Sequence, residues 1–393
     1  MRERFADSDG LGAIFPPMIY TVVALRCLGV RDQDPEMRWA LKQLDDLIIE
    51  EGDTVRLQPC VSPVWDTAMA LNAVAIAQPP GWEKSAQAAT EWLVPREVRR
   101  RGDWALTNPT LESGGWVFEY RNGFYPDIDD TAMVLIALAR AGQREQTLAR
   151  LPMDRGLRWV LGMQNRDGGW AAFDRDINRE VLTRVPFADH NAMLDPSCPD
   201  ITGRIVEAFG LCGLTSLHPQ VARAIDYLRR TQETTGAWFG RWGVNYIYGT
   251  WQVLAGLEAI GFDMTDPMVD KAVAWLAAVQ QPSGAWGESC RSYDDPTLAG
   301  QGDATASQTA WALLGLIYAG RADTAAVGKG IDWLLSTQRD HGGWEEEAFT
   351  GTGFPKVFYL KYDLYSLYFP VMALARYAAA SGMEERPNYR AAV

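Results

Sequence analysis

Residues 271–286 read KAVAWLAAVQQPSGAW: an apolar segment with helical spacing, a Gln, a Gly four residues on and a Trp two further. The same Gln/Gly/Trp spacing recurs at Gln164/Gly168/Trp170, Gln232/Gly236/Trp238 and Gln338/Gly342/Trp344, with a degenerate copy at Thr110/Gly114/Trp116. An aromatic residue precedes each Gln by five positions: Trp159, Tyr227, Trp275 and Trp333. Each pre-Gln segment predicts a helix, and the Gly ends it, because a positive φ costs glycine little. A second helix is expected after several of these loops, as in Asp66-Thr67-Ala68-Met69, Asp130-Thr131-Ala132-Met133 and Gln308-Thr309-Ala310-Trp311. The Gln positions are 68, 48 and 58 residues apart, so each unit is a helix pair plus a variable loop. Helix pairs that cannot bury both faces alone must stack on their neighbours. The expected fold is therefore all-α, a double layer of helices forming an α/α toroid. The Gln-to-Trp loop would act as a repeated clasp between a Gln amide, a helix end and an indole. The first 60 residues lack the pattern; they predict helices over 17–28 and 37–49 with an acidic turn between.

Composition narrows the function. A net charge of −13 over 393 residues gives no basic footprint for nucleic acid, and net charge would not draw the chain to anionic lipid. Membrane contact would have to be apolar. Five scattered cysteines without a C-x-x-C pair argue for a reducing compartment and against structural zinc. Three isolated histidines make a His-rich metal site or a Ser–His hydrolase a poor reading. No apolar run reaches the ~18 residues of a spanning helix. The 16 tryptophans ask for a repeated structural reason or a ligand-facing one. Long polar stretches at 173–199 and 289–304 separate the repeats, and loops of that length are often functional.

The strongest chemical constellation is Pro126-Asp127-Ile128-Asp129-Asp130-Thr131, immediately before an apolar helix. Acidic residues at that place cap a helix and suit its dipole. Three crowded carboxyls also cannot all ionise cheaply, so one held neutral can donate a proton. With aromatics abundant and His scarce, the acceptor of that proton could be a substrate alkene. The resulting carbocation needs dryness and negative charge density without a nucleophile, which aromatic faces supply. Trp65, Phe118, Trp170, Trp242, Tyr248, Phe354, Phe358, Tyr362 and Tyr365 are the candidate faces, although aromatics also dominate ordinary cores.

These residues carry a resemblance. The chain resembles the squalene–hopene cyclases, the bacterial class II triterpene cyclases. The likeness rests on Asp127-Ile128-Asp129-Asp130, the repeated Gln/Gly/Trp loops and residues 238–250, WFGRWGVNYIYGT. Residues 62–67, SPVWDT, and Thr352-Gly353-Phe354-Pro355 followed by Phe358-Tyr359-Leu360 add to it. The resemblance implies two α/α toroids around an apolar cavity. It makes Asp129 the acid that protonates a terminal alkene and Asp127 and Asp130 its polarising neighbours. Asp200 and Arg204 fall in the segment that supports the acid. The nine aromatics above match cavity faces, and Phe187 lies where the family narrows its substrate entrance. It also implies squalene or a similar polyprene as substrate, no cofactor and no metal. The implied place is peripheral, monotopic, on the cytoplasmic side of a membrane and in contact with its lipid.

The chain departs from the family pattern in three ways. Arg204 stands where well-known members have His, and an Arg there would favour ionised carboxylates. Phe173 stands where some have Tyr. The family also carries much more chain before the matched part. Residues 1–59 are therefore expected to be a remnant of the N-terminal toroid and residues 60–393 the catalytic one. An exposed cavity wall would call for a homodimer, a separate N-terminal half or a membrane. The rivals are a class II cyclase of another polyprene, an α/α-toroid glycosidase with paired carboxylates, and a non-catalytic half that binds lipid or a partner.

Overall fold

The computed structural model describes residues 1–179, 181–182 and 193–382, which fall into two units. Unit 1 comprises Met1–Leu71, Glu83–Gln164 and Ala171–Asp176; unit 2 comprises Asn72–Trp82, Asn165–Trp170 and the chain from Ile177 onward.

Unit 1 begins with α1 (Phe15–Cys27) and α2 (Pro35–Asp45), both opened by proline in the first turn. They share a small core of Val22, Leu25, Met37 and Ala40, with Phe5 stacked on Trp39 at 4.5 Å. The second helix ends four residues earlier than its sequence predicts. The following residues form an exposed hairpin, β1 (Ile48–Glu51) with β2 (Thr54–Leu57), turning at Gly52-Asp53 with Gly52 at φ 58°. A Gly-Asp pair between β-branched runs favours that turn over a further helical turn. Next come α3 (Pro63–Ala77), which continues into unit 2, then α4 (Trp82–Leu93), α5 (Ile128–Arg140) and α6 (Thr147–Gly162). Helix α5 is buried on every side from Ile128 to Leu138. Its companion α6 buries one stripe, including Met153, Gly156, Trp159 and Val160.

Unit 2 repeats that pairing. Helices α7 (Pro199–Leu211), α9 (Tyr246–Ala259) and α11 (Ala306–Tyr318) are almost wholly buried around their circumference, polar residues such as Asp200, Arg204 and Gln308 included. Each packs on the next, and α11 packs on α13 (Tyr365–Ala380). Glycines let α7 and α9 meet backbone to backbone: a Cβ on Gly256 would lie 2.3 Å from the Gly203 carbonyl oxygen. Between them run the half-buried cover helices α8 (Pro219–Thr231), α10 (Pro267–Ala278) and α12 (Ala325–Thr337). Helix α8 shows the logic: Val221, Ala224, Tyr227 and Leu228 face inward and the charged positions face water. A short hairpin, β3 (Gly351–Phe354) with β4 (Phe358–Leu360), precedes α13.

The clasp is a set of hydrogen bonds. The Gln232 amide donates 2.8 Å to Gly236 O in its own loop and 2.8 Å to Met268 O in the first turn of α10. Gln280 does the same with Gly284 O and with Ala326 O of α12. The Trp238, Trp286 and Trp344 indoles each donate to a carbonyl ten residues back: Leu228, Leu276 and Leu334. The main-chain N–H of Trp116, Trp170, Trp238 and Trp286 donates to a buried-helix threonine: Thr131, Thr202, Thr250 and Thr309. The threonines are a part of the clasp that the Gln/Gly/Trp spacing does not show.

Candidate active site

In unit 1, the start of α5 gathers the three carboxyls. Asp127 is its N-cap, and its Oδ1 accepts from Asp129 N at 2.6 Å and Asp130 N at 3.0 Å. The main chain holds this cap from both sides. Asp127 N donates to Trp116 O at 2.8 Å, and Ile128 N donates to Ala172 O at 2.7 Å. Thr131 Oγ1 donates to Asp127 O at 2.6 Å while accepting from Trp116 N. Asp127 and Asp129 are 8% exposed and Asp130 2%. Capping thus engages one carboxylate and leaves two in the first turn, at the positive end of the helix. Trp65 and Phe118 lie 6.4 Å apart and tilted in the same unit, with Val64 N bonded to Phe118 O.

A fourth buried acid escapes the motif. Glu119 follows Phe118, is 6% exposed, and burial pushes its carboxyl up to about 8, with the Asp127 charge adding to the effect. The Cys60 thiol is pushed up to about 12, by burial first and by Glu119 second. No spacing in the sequence distinguishes this Glu from a surface acid.

In unit 2, Asp200 and Arg204 stand one turn apart on α7, both buried. Asp200 Oδ2 accepts from Arg241 N at 2.8 Å and Trp242 N at 2.9 Å. Arg204 donates to the Tyr248 hydroxyl and lies 6.0 Å from its ring centre. Among the sequence candidates the structure thus joins Asp200 to the main chain of the half-buried Trp242, and Arg204 to the buried Tyr248. The Trp242 segment is also laced to β3, with Thr352 N donating to Trp242 O and Val244 N to Thr350 O. Phe354 and Phe358 face one another as register partners of that hairpin.

A continuous aromatic wall leads on from Tyr248. Its ring meets Trp311 edge-on at 4.9 Å; Trp311 meets Phe369 at 5.4 Å and Tyr365 at 6.1 Å; Tyr365 stacks on Tyr362 at 4.3 Å. Trp251 stacks on Trp311 at 6.1 Å. Tyr248, Tyr362 and Tyr365 are sequence candidates; Trp251, Trp311 and Phe369 are additions. Among the described residues, neither the Trp251 nor the Trp311 indole N–H has an acceptor. Trp170 sits elsewhere: it is the clasp tryptophan of its repeat, 0% exposed and edge-on to Phe209 at 5.6 Å. Phe187 lies outside the described residues.

Comparison with known proteins places these features in a family. The squalene-hopene cyclase C-terminal domain model matches residues 61–379, and the corresponding N-terminal domain model matches residues 1–53. A probable squalene–hopene cyclase of Sinorhizobium fredii is 46% identical, over 95% of this chain and 59% of its own length. The squalene–hopene cyclase of Zymomonas mobilis is 44% identical, over 95% and 58%. The chain thus spans about three fifths of the length of these curated relatives. Among solved structures, the type II terpene cyclase MstE from Scytonema aligns with a TM-score of 0.58 at 20% identity, covering 92% of this chain and 98% of that one. The all-α fold is that of the terpene cyclases.

Proposed function

This chain belongs to the squalene–hopene cyclase family, and from that premise we propose that it carries the proton-donating, aromatic-walled portion of a class II triterpene cyclase. The observation that carries the reading is the capped turn at the start of α5, where Asp127 accepts from two main-chain N–H groups and two further buried carboxyls follow. In this reading Asp129 donates a proton to one carbon of a terminal alkene of squalene or a similar polyprene. The π pair becomes the new C–H bond, and the neighbouring carbon becomes a cation. Later alkenes attack in turn, each forming a C–C bond and passing the cation on. Loss of a proton, or capture of water followed by proton loss, ends the sequence, so no net proton is consumed. Asp127 and Asp130 polarise the acid. Asp200 and Arg204 fall in the segment that, by the resemblance, supports it. Trp65, Phe118, Trp242, Tyr248, Phe354, Phe358, Tyr362 and Tyr365 offer ring faces to the cation, Trp170 serves the scaffold as a clasp residue instead, and Phe187 narrows the entrance. This chemistry needs no cofactor or metal.

The division at residue 59/60 belongs to the same proposal: residues 1–59 end one toroid and residues 60–393 form the other. The two family models meet between residues 53 and 61, which supports that division. We place the protein peripherally on the cytoplasmic side of a membrane, taking up substrate from lipid through apolar contact. Among the described residues no helix is long and apolar enough to cross a bilayer, which is compatible with surface attachment.

The test is incubation of the detergent-dispersed chain with squalene, read by gas chromatography–mass spectrometry, beside Asp129→Asn. A polycyclic product that disappears in the variant is expected. Product formed equally by both proteins would remove Asp129 from the reaction. A second reading, a cyclase of a shorter polyprene, draws on the fold likeness to MstE across nearly its whole chain. That reading expects turnover of a geranylgeranyl-bearing substrate where squalene is left untouched.

A further inference from the structure

The long polar stretch at 289–304 contributes no residue to the proposed chemistry, yet two segments that do contribute converge on one of its side chains. Tyr293 closes the short 3₁₀ turn Cys290–Tyr293 and is 4% exposed. Its hydroxyl oxygen lies 2.6 Å from Gly240 O, 2.9 Å from Gly243 O and 3.1 Å from Thr352 Oγ1. A phenol has one proton to give, so Tyr293 shares it between the two carbonyls and accepts from the Thr352 hydroxyl. Burial pushes this phenol well above its ordinary range, so the proton stays in place. The ring is fixed as well: Phe239 meets it edge-on at 5.5 Å, and Tyr359 stacks on it at 5.8 Å.

Gly240 and Gly243 bracket Arg241 and Trp242. The main-chain N–H groups of Arg241 and Trp242 go to Asp200, and the carbonyls on either side of them go to Tyr293. The same turn lies flat on the aromatic wall, since a Cβ on Gly243 would stand 2.5 Å from the Tyr248 ring. Thr352 sits in β3 two residues before Phe354, and Tyr359 follows Phe358 in β4. A single hydroxyl therefore fastens the Trp242 turn to the Phe354/Phe358 hairpin. The ring that carries it packs on a neighbour from each side.

We propose that Tyr293 is a positioning residue of the reaction: it sets the spacing between the Trp242 turn and the Phe354/Phe358 hairpin, and so how strongly their rings hold a passing cation. This role rests on the cyclase reading, and Tyr293 itself touches no reacting atom in it. Without the hydroxyl, two buried carbonyls lose a donor and the Thr352 hydroxyl loses an acceptor. The turn and the hairpin then move apart as these groups find other partners. Cation–π attraction acts within about 6 Å of a ring centre, so a small separation weakens it. A neutral apolar ligand is held by buried area instead and is little affected. A cation that loses a ring face is quenched sooner, which leaves products with fewer rings.

The experiment needs no turnover. The purified chain is titrated calorimetrically with farnesyltrimethylammonium, a prenyl chain bearing a permanent cation, and with neutral farnesol. The wild-type chain is expected to prefer the cation. Tyr293→Phe should weaken the ammonium about fivefold, the worth of one well-placed ring face, and leave farnesol nearly unchanged. Thr352→Val should act in the same direction, and Thr352→Ser, which keeps the hydroxyl, should match the wild type. Tyr318→Phe, at a buried tyrosine ending α11, should alter neither affinity. The positioning role is overturned if Tyr293→Phe and Thr352→Val bind the ammonium as the wild type does. It is equally overturned if they lose both ligands alike, since Tyr293 would then serve the scaffold only. A wild-type chain with no preference for the cation would instead overturn the cyclase reading, and the role of Tyr293 with it.

Discussion

Asp127 answers to both readings of an acidic helix start. It is a cap in the ordinary sense, and by capping it sets Asp129 and Asp130 on the next turn. Asp127→Ala should therefore lower stability by about 1–2 kcal/mol, and Asp127→Asn, which keeps an acceptor oxygen, by less; urea midpoints measure both. Glu119 gives a separate prediction. Its folded carboxyl titrates at about 8, against 4.5 for the free group. Between those values the folded chain holds a proton that the unfolded chain has lost. The stability it contributes is full below the unfolded value and drains away as pH rises through the folded one. Thermal melts should thus show stability falling by a few kcal/mol from pH 5 to pH 8, with a much flatter profile in Glu119→Gln. The carboxyl triplet was legible because it is contiguous and precedes an apolar run. Glu119 was not, because only its loop's fold, bridged Trp116 to Asp127, buries it.

Among elements, the repeated helix pairs were readable, since the Gln/Gly/Trp spacing and the helical period coincide in each. The helix expected to run to Ile49 stops at Asp45: apolar Ile48 and Ile49 extend the period of α2 in sequence, and the Gly-Asp turn outweighs them by drawing both into the hairpin. The threonine acceptors were visible as letters at Thr131 and Thr309 but not as partners, since only the fold brings them to the tryptophans. The aromatic wall was half legible. Tyr248, Tyr362 and Tyr365 stood out, whereas Trp311 read as a helix marker until packing set it between Tyr248 and Tyr365. The clasp makes a paired prediction. Both Gly236 and Gly342 have positive φ, so alanine at either costs about 1–2 kcal/mol in backbone strain. At Gly236 the new methyl group also strikes main chain of α10, which cannot give way as a side chain can. Chemical denaturation should show Gly236→Ala clearly less stable than Gly342→Ala.

For the molecule as a whole, a net charge of −13 sets the terms on which it meets a lipid surface. Repulsion from anionic headgroups opposes binding and is screened by salt, whereas apolar contact is not. Co-sedimentation should therefore show binding to neutral phosphatidylcholine vesicles at least as strong as to phosphatidylglycerol vesicles at low salt, the difference narrowing as salt rises. Net charge and the want of a spanning run were plain in the sequence. The division into discontinuous units was not, because α3 and the 165–176 segment pass from one unit to the other without any change in composition.

The clasp has a consequence for how such a chain changes over time. Each Gln and Gly reads only the first turns of the next cover helix, and nothing in that contact measures the length of chain between repeats. The intervals of 68, 48 and 58 residues are accordingly unequal, yet Gly168, Gly236 and Gly284 each abut the fifth residue of the next cover helix: Arg223, Lys271 and Lys329. The connecting stretches are therefore released from the bookkeeping of the scaffold. They can lengthen, shorten and drift in sequence while the frame stays in step.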